Sequence, residues 1–100
     1  MNIKIYFAID ESIKNKEQLL KKFLKCLGRL YGGFTLYNTY GGWVDKKGKL
    51  VMEYSYMIEV YTHNKMEKVL LTILKWGLRK FNQESILYVL EGRKIRFVSK

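Results

Sequence analysis

Few residues in this chain could do chemistry. Glu53 stands two places from Ser55 on a stretch that alternates apolar and polar residues, so the two share one face of a strand. With Trp43 on the preceding stretch they outline a candidate pocket, and Glu53 is the single carboxylate that can be nominated for it. Glu59 lies on the same face but six residues on, roughly 20 Å along a strand, too far for paired acid–base work. Metal binding needs three or four converging ligands, and the chain has one histidine and one cysteine. His63 falls in a loop and Cys26 at the edge of an apolar helix stripe, where a small packed thiol is expected rather than a nucleophile. Gly32-Gly33 follows a helix and Gly41-Gly42 lies between strands, so neither can be a phosphate loop, which runs from a strand into a helix N-terminus. On these grounds the chain is expected to be non-catalytic, with no cofactor and no metal.

The stronger signal is charge. Residues 16–30 and 65–80 hold ten basic residues against Glu17 and Glu67, which is +8 of the formal +10, while the rest of the chain is nearly balanced. Lys21, Lys22, Lys25 and Arg29 fall in one arc of the first segment, and Lys68, Lys75 and Arg79 in one arc of the second. A field so concentrated predicts an anionic partner, nucleic acid or a nucleotide, held by charge more than by base-specific contacts because lysine dominates.

Those arcs need helices, and the helices need a sheet. Ile3, Ile5, Phe7 and Ile9 give the first strand its two-residue period. Leu20, Phe23, Leu24, Leu27 and Tyr31 recur at helical spacing behind an Asn15/Gln18 capping box, and Gly32 ends the helix. Phe34–Val44 and Leu50–Thr62 flank Asp45-Lys46-Lys47-Gly48 as a hairpin, with Gly41-Gly42 predicting a bulge. Along the second of these strands Tyr54 and Tyr56 share a face with Ile58 and Val60, which places them under the helices. Asn64 and Glu67 predict a second capping box before the stripe Met66, Val69, Leu70, Ile73, Leu74 and Phe81. Ile86–Leu90 closes the order, with residues 91–100 open between a short fifth strand, Ile95–Val98, and a tail.

Strand, helix, strand, strand, helix, strand predicts an α+β, ferredoxin-like βαββαβ fold: a four-stranded antiparallel sheet with two helices on one face, over residues 1–100 as a single domain. The uncovered sheet face then presents Tyr6, Tyr37, Met57 and Tyr61, a candidate interaction surface and a candidate homodimer contact. A hydrophobic content of 48% suffices for a core, and no segment reaches the roughly 20 apolar residues of a membrane span. With a lone cysteine and no apolar leader, a cytoplasmic protein is expected.

Tyr6-Phe7, Gly33-Phe34-Thr35, Gly42-Trp43, Glu53 with Ser55, and Phe81-x-Gln83-Glu84-Ser85-Ile86-Leu87 resemble the domain-of-unknown-function family 3574 of bacteria and their phages. The resemblance implies the same fold and a bacterial or phage source, and carries no reaction. From it and from the chain's size follows the expectation of a small basic binder that inhibits a bacterial defence system, such as CRISPR or nucleotide-signalling immunity, in the bacterial cytoplasm. A sheet-face interaction module is the second reading. A dimeric α/β-barrel small-molecule enzyme using Trp43, Glu53 and Ser55 is the third.

Overall fold

A computed structural model describes residues 1–99. The order is β1 (Asn2–Phe7), α1 (Lys16–Tyr31), β2 (Thr35–Val44), β3 (Leu50–Tyr61), α2 (Glu67–Lys80), β4 (Ser85–Leu90) and β5 (Lys94–Ser99). The strands form one antiparallel sheet in the order β2-β3-β1-β4-β5. The fifth strand left open at Ile95–Val98 is formed, over Lys94–Ser99, and joins the four expected, so the order is not the simple ferredoxin-like one. The C-terminal segment pairs with β4 over all six of its residues, after a turn in which Glu91 and Gly92 both take positive φ.

Alternation decides which face is covered. Ile3, Ile5 and Phe7 of β1, Ile58 and Val60 of β3, and Ile86, Tyr88 and Leu90 of β4 join Phe23 and Leu27 of α1 and Leu70, Leu74 and Leu78 of α2 in a single core. Both helices therefore cover the same face. Phe23 lies between Phe7, at 5.0 Å between ring centroids, and Phe81, at 5.1 Å. The helices meet at Gly77, where a methyl group would come within 2.8 Å of the Phe23 ring; only glycine allows that approach.

Two local expectations fail. Neither helix carries a side-chain N-cap: Asn15 accepts the Leu19 N–H through its backbone carbonyl and not its side chain, and the Asn64 side chain instead accepts the Met66 N–H in a two-residue turn while Met66 takes φ 46°. There is no bulge at Gly41-Gly42, because both glycines keep continuous register, opposite Glu53 and Met52. The hairpin turn and the Gly32 helix end are formed as expected, with φ of 80° at Gly48 and 83° at Gly32.

The hairpin outruns the sheet. At about 3.4 Å per residue the 12 residues of β3 span about 40 Å, which matches the 42 Å long axis of the molecule. β1 pairs with β3 only from Tyr61 to Tyr56, so residues 39–55 project beyond the layer that the helices cover. Tyr56 stacks on Phe7 at 5.3 Å, as its phase predicts. Tyr54, expected beneath the helices, is 77% exposed and packs on Tyr40 instead, because neither helix extends that far.

Two tyrosines bind elements together, Tyr88 joining β4 to α2 and Tyr31 joining α1 to the loop before α2. Buried Tyr88 donates to Glu67 Oε2 at 2.7 Å, and half-buried Tyr31 to the Lys65 carbonyl at 2.7 Å. Burial first, then Glu67, through its charge at Tyr31 and through the hydrogen bond at Tyr88, pushes both phenols up to about 12 from 10.0, and the Tyr88 bond holds the Glu67 carboxyl below its usual range. A raised folded-state pKa contributes stability that is complete below the ordinary value and lost as pH climbs through the raised one. Chemical unfolding should therefore show stability falling between pH 10 and about 12, less steeply in Tyr88→Phe; a flat profile over that window would contradict this.

Candidate functional site

β1 leaves the sheet at Phe7 while β3 continues, and β4 enters only at Ser85, so a gap opens at the root of the hairpin. Two connections frame it. Asp10 N–H donates to the Phe81 carbonyl at 3.1 Å, and Asn82 Nδ2 to Asp10 Oδ2 at 2.8 Å, which ties the loop after β1 to the loop before β4. Hydrogen bonds from the Ser12 N–H, the Ser12 hydroxyl and the Asn82 amide hold the Asp10 carboxyl below its usual range, so this frame stays anionic.

Three adjoining hollows occupy the gap. The first, about 330 Å³, is walled by Tyr6, Trp43, Glu53, Ser55, Gln83 and Leu87. The second, about 710 Å³, shares Glu53 and Gln83 with it and adds Tyr54, Asp10 and Glu11. The third, about 230 Å³, shares Tyr54 and Glu11 with the second and Ser55 with the first. Glu53 thus stands at the junction of the two larger hollows. Among the described residues its carboxylate makes no hydrogen bond or ion pair, whereas that of Glu11 is engaged by Lys16. The Ser55 hydroxyl is fixed by a 2.6 Å hydrogen bond with Thr39 Oγ1.

A free carboxylate beside two aromatic rings suits a particular ligand chemistry. The rings offer faces for a planar base or a soft cation, and the carboxylate attracts positive charge, accepts hydrogen bonds from hydroxyls or takes a proton.

Trp43, Glu53 and Ser55, nominated together from sequence, line one hollow. Tyr6, nominated for the open sheet face, lies on that face and also walls the hollow. Register puts Tyr37, Met57, Tyr6, Leu87 and Phe97 in one row across all five strands. Tyr61 lies beyond that row at the end of β3. Tyr37 donates to Glu59 Oε1 at 3.2 Å, which raises the phenol's pKa, while a bond from Asn2 is the main cause lowering that of Glu59. Gln83, Tyr54, Asp10 and Glu11 were not nominated from sequence, although Gln83 lies in the segment that carries the family resemblance and Tyr54 on a strand read from its alternation.

The cationic residues sit elsewhere. Lys21, Lys22, Lys25 and Arg29 on α1 and Lys68, Lys75 and Arg79 on α2 are exposed on the helix layer, none with a described carboxylate within 4.0 Å. Lys22 Nζ lies 5.7 Å from the Trp76 ring centroid and so bridges the two helices. Cys26, expected to be packed, is exposed on α1. Among the described residues no three His, Cys, Asp or Glu side chains converge as metal ligands. Among the described residues no helix is long and apolar enough to cross a membrane.

Fold and site together define a two-layer α+β protein with a small-molecule-sized hollow at the root of a long hairpin. The chain belongs to the family described as protein of unknown function (DUF3574), whose model matches residues 3–97. No curated protein matches it in sequence. Among solved structures it is similar to a phage SAM lyase bound to S-methyl-5′-thioadenosine, with a TM-score of 0.70 and 16% identity over 99% of this chain and 88% of that one. It is also similar to Pyrococcus horikoshii CutA, with a TM-score of 0.53 and 15% identity over 100% and 84% of the two chains. B. subtilis GlnK, solved with ATP, matches with a TM-score of 0.52 and 15% identity over 99% and 82%. The lyase corrects the expectation of a non-catalytic protein. That expectation rested on finding no catalytic set along the chain, yet this fold, over nearly its whole length, is one that an enzyme uses.

Proposed function

We propose that the chain is a small-molecule enzyme whose ligand is an adenosine thioether or sulfonium, held in the hollow at Glu53. The observation that carries the reading is an unpartnered carboxylate facing a hollow walled by Tyr6 and Trp43. The likeness to the SAM lyase supports the choice of ligand class, as does the solved complex of GlnK with ATP, a second adenosine compound. In this reading Tyr6 and Trp43 stack on the adenine, and Ser55 and Gln83 bond its sugar. Glu53 faces the sulfonium. A lyase breaks the carbon–sulfur bond without water: the bond pair stays on sulfur, the carbon next to the departing one loses a proton, and the C–H electron pair forms a double bond in the fragment that leaves. Glu53 takes that proton. Titration calorimetry with S-methyl-5′-thioadenosine should show binding that weakens about tenfold or more in Trp43→Ala, the usual cost of removing one stacking ring. Equal affinity in the two proteins would move the site away from Trp43.

A second reading concerns the helix layer, where seven exposed cations make no ion pair among the described residues. They bind a polyanion such as nucleic acid by charge alone, so affinity should fall steeply with salt. The quadruple reversal of Lys22, Lys25, Lys75 and Arg79 to Glu should abolish it; a salt-independent affinity would contradict this reading.

A further inference from the structure

The sheet has two free edges, and they are guarded differently. β5 carries Lys94 and Arg96, charges of the kind that keep an edge strand from pairing with another chain. β2 carries no such device: Thr35–Val44 is a ten-residue strand with no charged residue, no proline and no bulge. Apart from Leu36, which packs against the core, its apolar side chains are uncovered on both faces, with Tyr40 57%, Trp43 52% and Val44 64% exposed. Left open, such an edge is an aggregation site.

We propose that β2 is covered by backbone pairing with a second copy of this chain. Charge selects both the seam and the partner. A molecule of net charge +10 repels its own copy over most of its surface, and eight of those charges lie in the segments that contain the two helices. The uncharged β2 edge is where two copies can approach without that cost. Area agrees: with Leu50, Met52 and Tyr54 of the same hairpin also exposed, the apolar side chain available amounts to about 600 Å² per copy at the usual burial of aromatic residues. A standard stable interface takes about 800 Å² per partner, and the paired backbone makes up the difference. The seam shares Trp43 and Tyr54 with the walls of the hollows, but its test reads mass and amide exchange in the absence of any ligand, so its failure is distinct from failure of the ligand reading.

Light scattering coupled to gel filtration tests it on the full chain. The mass should be at least twice the 12.0 kDa of one copy, and the double substitution Tyr40→Lys with Val44→Lys should return it to one copy. Val69→Lys, on an exposed apolar residue of α2, should leave the assembled mass unchanged. A single-copy mass for the wild type, or an assembled mass for the double variant, overturns the proposal. Hydrogen exchange on the wild type covers the case of a variant that fails to fold. Alternate β2 amides, those facing away from β3, should be protected at high protein concentration and exchange faster on dilution. Equal exchange at every concentration also overturns it.

Discussion

Glu53→Gln is expected to lower turnover of S-adenosylmethionine by about 10²–10⁴-fold, the usual contribution of a positioned acid–base group, while affinity for S-methyl-5′-thioadenosine changes little. The split follows from what the two ligands carry. The sulfonium presents a positive charge and, on cleavage, a proton to be removed; the thioether presents neither. Glutamine keeps the size and hydrogen-bonding reach of Glu53 but neither attracts the charge nor takes the proton. Because Glu53 is exposed and holds up no other described side chain, the substitution should leave folding unchanged, so a loss would be chemical in origin. Steady-state kinetics beside calorimetry reads both quantities. Unchanged turnover in Glu53→Gln would remove the carboxylate from the mechanism.

The largest structural effect is expected at Phe23. It is fully buried and makes ring contacts with Phe7, Phe81 and Trp76, which joins β1, both helices and the loop before β4. Truncation to alanine should cost about 3–5 kcal/mol, and the neighbouring rings are too constrained to refill the space. Domains of this size hold only about 5–15 kcal/mol in total, so Phe23→Ala should be close to unfolded at room temperature. It would also loosen Phe81 and with it the Asp10–Asn82 link that frames the hollows. Urea unfolding followed by circular dichroism measures the loss; a cost below about 1 kcal/mol, the size of a surface change, would show that the four-ring cluster does not hold the layers together.

Much of the fold could be read from periodicity. The two-residue alternation of Ile3, Ile5 and Phe7, and the helical spacing of Phe23 with Leu27 and of Leu70 with Leu74, locate the core because burial selects side chains by face. Features decided between elements were not legible. Tyr54 has the same phase as Ile58, and nothing local says that the helices stop short of it. Gly41-Gly42 carries a bulge signal, but continuous pairing with Glu53 and Met52 overrides it. Asn15 and Asn64 look like caps, yet Asn64 spends its side chain on the turn before Met66.

The site was half legible for a related reason. Trp43, Glu53 and Ser55 share one hairpin, so spacing along the chain brings them together. Tyr6 and Gln83 arrive from distant segments and meet Glu53 only because β1 departs where β3 continues. A lone carboxylate among aromatic rings has no spacing signature, and the basic helices, whose signal is purely compositional, drew the functional reading towards an anionic partner.

The central claim is that the hollow at Glu53 binds and cleaves an adenosine sulfonium. Its most direct test is to incubate the purified chain with S-adenosylmethionine and follow the mixture by mass spectrometry. The account predicts S-methyl-5′-thioadenosine accumulating in proportion to protein and time. S-adenosylmethionine remaining intact, at the rate of a protein-free control, would contradict it.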